Sequence, residues 1–213
     1  VGIGLPNLAC NLARATHAPN MTLIYESGAV GAVPERVPPS IGDPALVTGS
    51  LMVTSMADIF QSFLQNGKIQ IGFLGGAQVD RMGNINTTVV GPYGEPKVRL
   101  PGSGGACEIA QHAQRVLIVT KLDKRAFPAK VDFITSSGKR VAKIITNMGI
   151  LEPDGAGEMT LTALYPGVTF AQVQENVGWS LKQKSPLAAV SLPSKQEIDL
   201  LRVKLDPKRL HIK

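Results

Sequence analysis

Short apolar runs with the character of β-strands alternate with helical segments along this 213-residue chain. Residues 116–119 (Val-Leu-Ile-Val) have the pattern of a strand that is buried on both faces of a parallel sheet. Residues 5–16 carry apolar side chains at helical spacing, with Pro6 in the first turn. Short turns separate these segments, without an internal repeat or a low-complexity linker. The alternation predicts an α/β fold with a single open, mostly parallel, doubly wound sheet flanked by helices, in one domain spanning residues 1–213.

Strand and helix patterns account for most of the remaining chain. Further strands are predicted at residues 21–25, 69–74, 84–90, 131–135, 143–146 and 159–163. Further helices are predicted at residues 57–65, 106–113, 168–177 and 194–203. The last of these helices has Ser194 as its N-cap and Glu197 three residues later, which together form a capping box.

The charge and composition of the chain disfavour two classes of partner. The 22 Lys and Arg residues against 16 Asp and Glu give a net charge of +6. Apart from residues 121–125 and 202–213 the basic residues are scattered, and aromatic residues make up only 5%. Neither a recognition helix nor a base-stacking surface is therefore predicted, and no nucleic-acid partner is expected. No apolar stretch approaches the roughly 18–20 residues that span a bilayer, so no membrane partner is expected either. The expected location is the cytoplasm.

The sequence gives little indication of catalysis by histidine or of a bound metal ion. Cys10 and Cys107 lie far apart and are predicted to be small buried hydrophobic residues, although Cys107 follows a glycine loop and a reactive thiol there stays open. His17, His112 and His211 are widely separated, and the sequence has no Gly-x-Ser-x-Gly motif to hold a serine nucleophile. Because no cluster of His, Cys, Asp and Glu has metal-ligand spacing, no metal site is predicted.

A carboxylate follows the strand predicted at residues 21–25. Glu26 stands on a turn with small neighbours, Ser27 and Gly28. A carboxylate held partly out of water in such a turn can act as a nucleophile or as a general base. Gly28 lets a ligand approach the backbone closely. The alternative is that Glu26 is a solvated or ion-paired residue without a catalytic role.

Two further segments combine glycines with polar groups. Gln78 and Asp80 follow the strand predicted at residues 69–74; Gln78 can donate a hydrogen bond to a developing oxyanion, while Asp80 is equally suited to forming a turn. The glycine loop at residues 102–105 precedes the helix predicted at 106–113. Free N–H groups at the start of a helix suit a phosphate or an oxyanion, and a plain turn is the alternative.

Five stretches of the sequence stand in a distinctive order. They are GIGLP at 2–6, ESG at 26–28, VPPSIGD at 37–43, GGAQVDRMGNINTT at 75–88 and GSGGA at 102–106, with PKVR at 96–99 also matching. In this order they resemble the β subunit of class I coenzyme A transferases, and most closely the β subunit of glutaconate CoA-transferase. The resemblance extends from residue 1 to about residue 190 and is specific, because five separate loops agree in order and spacing.

The resemblance implies an acyl-CoA:carboxylic acid CoA-transferase with ping-pong kinetics. Glu26 takes the place of the family's nucleophile, which forms a glutamyl-CoA thioester. The backbone N–H groups of Gly104 and Gly105, with Gln78 nearby, take the place of the oxyanion site. The resemblance also implies a homologous α subunit as partner in a hetero-oligomer. Coenzyme A thioester enters as a substrate, and no permanently bound cofactor is expected.

Contacts with the substrate are less constrained by the resemblance. Gly28, Lys97 and Arg99 are candidates for contact with CoA or with the carboxylate of the acid, and a surface role for both cations stays open. Family members carry a further strand and helix before the GIGLP stretch, and a glycine-rich insertion where this chain passes from Gly138 to Lys139. We therefore expect either a short member of the family or a chain that lacks these segments.

Two alternative functions remain at the level of sequence. One is a CoA-ester decarboxylase or ring-opening hydrolase subunit of the same superfamily. The other is a non-catalytic subunit that binds acyl-CoA. Because members with changed chemistry often lack the glutamate of the ESG stretch, the presence of Glu26 favours CoA transfer.

Overall fold

The computed structural model describes residues 2–34, 36 and 38–211, so Val37 of the VPPSIGD stretch lies outside the described residues. The α-helices of this part of the chain are α1 (Leu5–Ala15), α2 (Met56–Asp58), α3 (Ala106–His112), α4 (Phe170–Glu175) and α5 (Lys195–Asp199). The chain continues as π-helix through Ile59–Leu64 after α2 and through Leu200–Leu205 after α5. Ser194 and Glu197 form the predicted capping box at the start of α5.

The strands are short in the first half of the chain and longer in the second. They are β1 (Ala29–Val30), β2 (Met52–Val53), β3 (Ile71–Leu74), β4 (Gln78–Val79), β5 (Ile85–Asn86), β6 (Val89–Val90), β7 (Val98–Arg99), β8 (Arg115–Val119), β9 (Val141–Ile145), β10 (Gly149–Pro153), β11 (Met159–Leu164) and β12 (Gln183–Ala189). The chain forms two compact units, one of Val1–Asn66 with Leu192–Lys213 and one of Gly67–Ser191. The sequence predicts a single domain, and the division into two compact units does not test that prediction.

The first unit is built around α1 and a small antiparallel sheet. Strand β1 pairs with β2, with Ala29 opposite Val53 and Val30 opposite Met52. The strand predicted at residues 21–25 is reduced to one bridge between Ile24 and Val30. Helix α1 forms where the apolar spacing predicts a helix, and it contacts the π-helical segment Leu200–Leu205. Its buried face differs from the predicted one, because Asn7 and Asn11 are buried while Leu5 and Ala9 are exposed.

A six-stranded mixed sheet forms the centre of the second unit, in the order β12-β11-β10-β9-β8-β3. Strand β8 is parallel to both β3 and β9, and β11 is parallel to β12. Strands β9, β10 and β11 pair antiparallel because the short turns between them cannot make the crossover of a dozen or more residues that parallel pairing needs. The sheet, with α3 and α4 in the same unit, confirms the predicted α/β class.

One row of side chains crosses four strands of this sheet and forms its core. Ile118 stands opposite Ile144, which stands opposite Leu151, which stands opposite Leu161. All four are completely buried. Burying each of these side chains contributes about 1.5–3 kcal/mol, so this row is a main source of the unit's stability.

Truncating the centre of this row lowers the stability of the protein. We expect Ile144→Ala to reduce the free energy of unfolding by about 2–5 kcal/mol, because a buried cavity adds to the lost transfer free energy. Denaturant unfolding measures the change. The control is Ile150→Ala on the neighbouring strand, where the side chain is only half-buried. Equal losses in the two variants would contradict the assignment of the core row.

The strands predicted from the sequence differ from the structure at several places in this unit. The strand predicted at residues 131–135 is absent, because Asp132 N–H donates to the Gln78 side chain (3.1 Å) and Thr135 N–H donates to the Ile85 carbonyl (2.9 Å). Strand β10 was not predicted. Strand β12 was not predicted either, because it is exposed almost throughout and contains Pro186, as edge strands do.

Candidate active site

Glu26 lies at the tip of a tight hairpin in the first unit. The Gly28 N–H donates to the Tyr25 carbonyl (3.0 Å), and the Tyr25 N–H donates to the Ala29 carbonyl (2.9 Å). The Glu26 side chain is half-buried. Within residues 2–34, 36 and 38–211, its carboxylate accepts no hydrogen bond and forms no ion pair. The backbone therefore fixes the turn while the carboxylate is left available to react.

Gly28 completes this turn in a conformation that other residues rarely adopt. Its φ is 120°, and its carbonyl accepts a hydrogen bond from Thr54 N–H (2.9 Å). A Cβ at this position would fall well inside van der Waals distance of the Thr54 carbonyl oxygen. The Glu26 hairpin is therefore pressed backbone to backbone against the end of β2, which only glycine permits.

Polar side chains that residue spacing does not reveal lie directly behind the hairpin. Tyr25 is 2% exposed, and its hydroxyl accepts a hydrogen bond from Asn7 Nδ2 (2.8 Å). Burial raises the pKa of the Tyr25 phenol above its ordinary value, and hydrogen bonds from Asn7 and Asn11 offset part of this effect. The only trace of this contact in the sequence is the pair Asn7 and Asn11, one helical turn apart in α1. Tyr25, which accepts the hydrogen bond from Asn7, stands 18 residues further along the chain than Asn7.

An ion pair between Arg36 and Asp43 stabilises the proline-rich loop of the first unit. Both terminal nitrogens of Arg36 donate to the Asp43 carboxylate, at 2.7 and 2.8 Å. Asp43 also accepts from Ala45 N–H (2.8 Å) at the start of the 3₁₀ turn Pro44–Val47. The hydrogen bond from Arg36 lowers the pKa of the Asp43 carboxyl below its ordinary value. The last residue of the VPPSIGD stretch, Asp43, is thus fixed by an ion pair and by a backbone N–H.

In the second unit, Gln78 is buried within a network of polar side chains. Its Nε2 donates to Asp132 (3.0 Å), and its Oε1 accepts from Asn86 Nδ2 (2.7 Å). The Asp132 carboxylate also accepts from Gly91 N–H (2.8 Å). Of the polar sites on the Gln78 carboxamide, one N–H remains for any other contact. The network therefore constrains what Gln78 can offer a ligand.

Asp80 acts as a turn former, one of the two roles that the sequence left open. One of its carboxylate oxygens accepts from Met82 N–H (2.9 Å) and Asn84 N–H (3.0 Å), while the other accepts from Asn84 Nδ2 (3.1 Å). Asp80 is 3% exposed. These bonds fold residues 80–84 into the turn between β4 and β5.

Lys97 and Arg99 lie on the hairpin formed by β6 and β7. The Arg99 guanidinium lies 4.8 Å from the centre of the Tyr93 ring and donates to the Tyr93 carbonyl (3.1 Å). Tyr93 in turn stacks on Phe133 at a centroid distance of 5.4 Å. Arg99 is therefore held in place with donors to spare, whereas Lys97 is simply exposed.

Gly104 and Gly105 form the loop before α3. Gly104 is exposed with a φ of 49°, and Gly105 is the N-cap of the helix. In the described part of the chain, the N–H groups of these two glycines form no hydrogen bond. Two adjacent backbone donors are thus available at this loop.

The two cysteines lie in different helices, α1 and α3. Cys10 is buried in α1, and burial raises the pKa of its thiol, whereas Cys107 is half-buried in α3. Among the described residues, no group of three or more His, Cys, Asp and Glu side chains is arranged to hold a metal ion. No helix in the same part of the chain is both long and apolar enough to cross a membrane.

Comparison with known proteins gives a consistent pattern. The family model described as coenzyme A transferase matches residues 1–176. The chain is 48% identical to the β subunit of 3-oxoadipate CoA-transferase from Pseudomonas knackmussii, over 95% of this chain and 84% of that protein. The crystal structure of glutaconate coenzyme A-transferase from Acidaminococcus fermentans superposes with a TM-score of 0.91 and 31% identity, over 100% of this chain and 89% of that one. The decarboxylase AibA/AibB superposes with a TM-score of 0.89 and 27% identity, over 99% and 88%.

Proposed function

The chain belongs to the coenzyme A transferase family as a class I β subunit, and we propose that it is the catalytic subunit, with Glu26 as the residue that becomes covalently joined to CoA. The resemblance to a β subunit is confirmed, although the sequence identity to the 3-oxoadipate enzyme (48%) exceeds that to the glutaconate enzyme (33%). The observation that carries the proposal is the hairpin that holds a half-buried, unpaired carboxylate at its tip.

The proposed reaction proceeds through two acyl transfers on Glu26. The carboxylate attacks the carbonyl of the donor acyl-CoA, which gives a mixed anhydride and releases CoA as thiolate. The thiolate then attacks the anhydride at the Glu26 carbonyl, which gives the glutamyl-CoA thioester and releases the donor acid as carboxylate. An acceptor carboxylate reverses both steps, so no proton is gained or lost overall. The energy of the thioester is retained on the enzyme between the two half-reactions.

For oxyanion stabilisation, the proposal takes the residues that the family resemblance implies, Gly104, Gly105 and Gln78. The free N–H groups of Gly104 and Gly105 suit a tetrahedral oxyanion, because backbone donors need no reorganisation during the reaction. Gln78 can contribute only its remaining N–H, since Asp132 and Asn86 engage the rest of its carboxamide. Its larger role in this proposal is to hold the loop at residues 131–132.

The substrates are proposed to be a CoA thioester and a dicarboxylic acid. The acids named for the two transferase relatives, 3-oxoadipate and glutaconate, each carry two carboxylates. Arg99 is pre-positioned by Tyr93 and suits the second carboxylate or a CoA phosphate. Lys97 is proposed as a secondary contact. Gly28 stays a candidate contact by the family resemblance, although its N–H is engaged by Tyr25 and its carbonyl by Thr54. No permanently bound cofactor takes part in these steps.

An exposed apolar strip suggests where the homologous α subunit binds. Leu51 is 81% exposed, and Met52, Val53 and Met56 are exposed beside it on and after β2. Soluble proteins rarely leave such a cluster uncovered. Because β2 pairs with β1 at the base of the Glu26 hairpin, we propose that the α subunit covers this strip.

Placing a charge in the strip weakens subunit assembly. We expect Leu51→Asp to raise the dissociation constant for the α subunit about tenfold or more, because a carboxylate would be desolvated in an apolar interface. Titration calorimetry with the purified α subunit measures the change. Leu192→Asp is the control, since Leu192 is 74% exposed outside the strip. Unchanged affinity for Leu51→Asp would contradict this assignment.

Chemical trapping tests the covalent intermediate directly. The αβ complex is incubated with succinyl-CoA in the absence of an acceptor acid and then treated with borohydride, which reduces a thioester to an alcohol. We expect peptide mass spectrometry to find the carboxyl of residue 26 converted to an alcohol. Reduction at another residue, or no reduction in a complex that exchanges CoA, would overturn the proposal.

A decarboxylase is the second candidate, favoured by the superposition on AibA/AibB. A decarboxylase releases carbon dioxide from a CoA ester without an acceptor acid, whereas a transferase requires the acceptor. Carbon dioxide release from glutaconyl-CoA in the absence of any acceptor supports the decarboxylase. Strict dependence of turnover on the acceptor supports transfer.

A further inference from the structure

One face of α1 carries polar side chains that are buried. Asn7, Asn11 and Arg14 follow one another at helical spacing, and Asn7 is completely buried while Asn11 is 6% exposed. Burying an amide side chain is costly unless its donors and acceptors are satisfied. Helix α1 also buries Leu8 and Cys10, so apolar residues at its polar positions would have served packing alone. The polar face therefore requires a separate explanation.

The three side chains form one continuous line of hydrogen bonds. Arg14 Nη2 donates to Asn11 Oδ1 (2.7 Å), and Asn11 Nδ2 donates to Asn7 Oδ1 (2.7 Å). Asn11 Nδ2 also donates to the Asn7 carbonyl (2.9 Å), which uses its second hydrogen. Asn7 Nδ2 completes the line at the Tyr25 hydroxyl (2.8 Å). Rotation of any one carboxamide breaks the bonds on both of its sides.

The line ends on both arms of the Glu26 hairpin. Tyr25, at one end, is the residue directly before Glu26. At the other end, Arg14 Nη1 donates to the Ala32 carbonyl (2.6 Å), which lies just after β1. The two arms are also joined to each other, since the Gly31 N–H donates to the Leu23 carbonyl (2.7 Å). Helix α1 is thus hydrogen-bonded to the hairpin on each side of its tip.

We propose that Asn7, Asn11 and Arg14 are positioning residues that orient the Glu26 carboxylate through Tyr25 and Ala32. This inference rests on the proposed role of Glu26 as the nucleophile. A nucleophile must meet the thioester carbonyl at a defined distance and angle, and a displacement of about 1 Å can cost on the order of 100-fold in rate. Helix α1 has 11 residues and gives the Glu26 turn a more rigid support than a loop would.

A double-mutant cycle in the αβ complex tests the line at its last bond. Tyr25→Phe and Asn7→Ala each remove one partner of the bond between the Tyr25 hydroxyl and Asn7 Nδ2. We expect either variant to lower kcat and the rate of glutamyl-CoA formation about ten- to a hundredfold, with KM changed less than about twofold. The double variant should be no slower than the slower single variant, because both act through the same bond.

A control variant distinguishes a role in orienting Glu26 from a general effect on the stability of α1. Thr16→Val removes the hydrogen bond from Thr16 Oγ1 to the Leu12 carbonyl (2.8 Å) on the same helix, without touching the hairpin, and should leave kcat unchanged. Additive losses, an unchanged kcat in Tyr25→Phe, or an equal loss in Thr16→Val would each overturn the inference. Tyr25→Phe decides alone if Asn7→Ala does not fold. Failure of the proposed function itself shows separately, as CoA exchange that survives the loss of Glu26.

Discussion

We expect that replacing Glu26 with glutamine in the assembled αβ complex abolishes CoA transfer, with kcat lowered on the order of 10⁴-fold or more. The amide has nearly the same shape as the carboxylate but is not a nucleophile toward a thioester. The side chain stands at a turn tip without partners among the described residues, so the substitution removes no structural contact there. Steady-state exchange of CoA between two acids measures the loss.

Three companion variants make this result specific. Glu26→Ala should be equally inactive, and neither variant should yield a borohydride-reduced residue. Glu26→Asp keeps the carboxylate but draws it back by one methylene, so we expect partial activity with slow thioester formation. Glu175→Gln is the control, because it removes an exposed carboxylate at the end of α4. CoA exchange in Glu26→Ala at the wild-type rate would refute the covalent mechanism.

We expect Gly28→Ala to lower the activity of the complex and to destabilise the hairpin. Two costs combine: a φ of 120° is unfavourable for alanine, and the added methyl group meets the Thr54 carbonyl, which is backbone and cannot rotate away. Together we expect about 2–4 kcal/mol of lost unfolding free energy and a fall in kcat of about 100-fold, because the turn must open to accommodate the methyl group. Thermal unfolding and CoA exchange on the same sample give both values.

A second glycine separates the two costs. Gly167 has a φ of 82°, and a Cβ there would meet no atom within 4 Å. Gly167→Ala should therefore show only the conformational cost, about 1–2 kcal/mol, with normal kcat. If Gly28→Ala proved no worse than Gly167→Ala, the backbone contact with Thr54 would be unimportant for the turn.

Local sequence patterns are sufficient to predict the elements with strong periodicity. The apolar spacing of α1, the Val-Leu-Ile-Val run of β8 and the capping box of α5 each depend on residues within a few positions of one another. These elements are therefore predictable. Strand β12 is not, since an exposed edge strand buries no regular face and leaves no apolar alternation to detect.

In the candidate site, too, local features can be predicted from the sequence and long-range contacts cannot. A carboxylate on a turn after an apolar run is a local feature, so Glu26 can be singled out from the sequence. The bond from Gln78 to Asp132 joins residues 54 positions apart, and the one from Asn7 to Tyr25 joins residues 18 apart. Such contacts are set by how distant segments pack, which residue spacing does not reveal. The oxyanion role that the sequence suggests for Gln78 therefore takes no account of the partners that engage its amide.

The buried phenol of Tyr25 has a consequence for activity in alkaline solution. Because burial holds its pKa above the ordinary value near 10, Tyr25 stays uncharged throughout the range in which CoA thiols begin to ionise. Glu26 is then the only anion among residues 25–28, and no neighbouring phenolate repels an incoming carboxylate substrate. A decline in rate as the medium is made basic is therefore not expected to arise from ionisation of Tyr25.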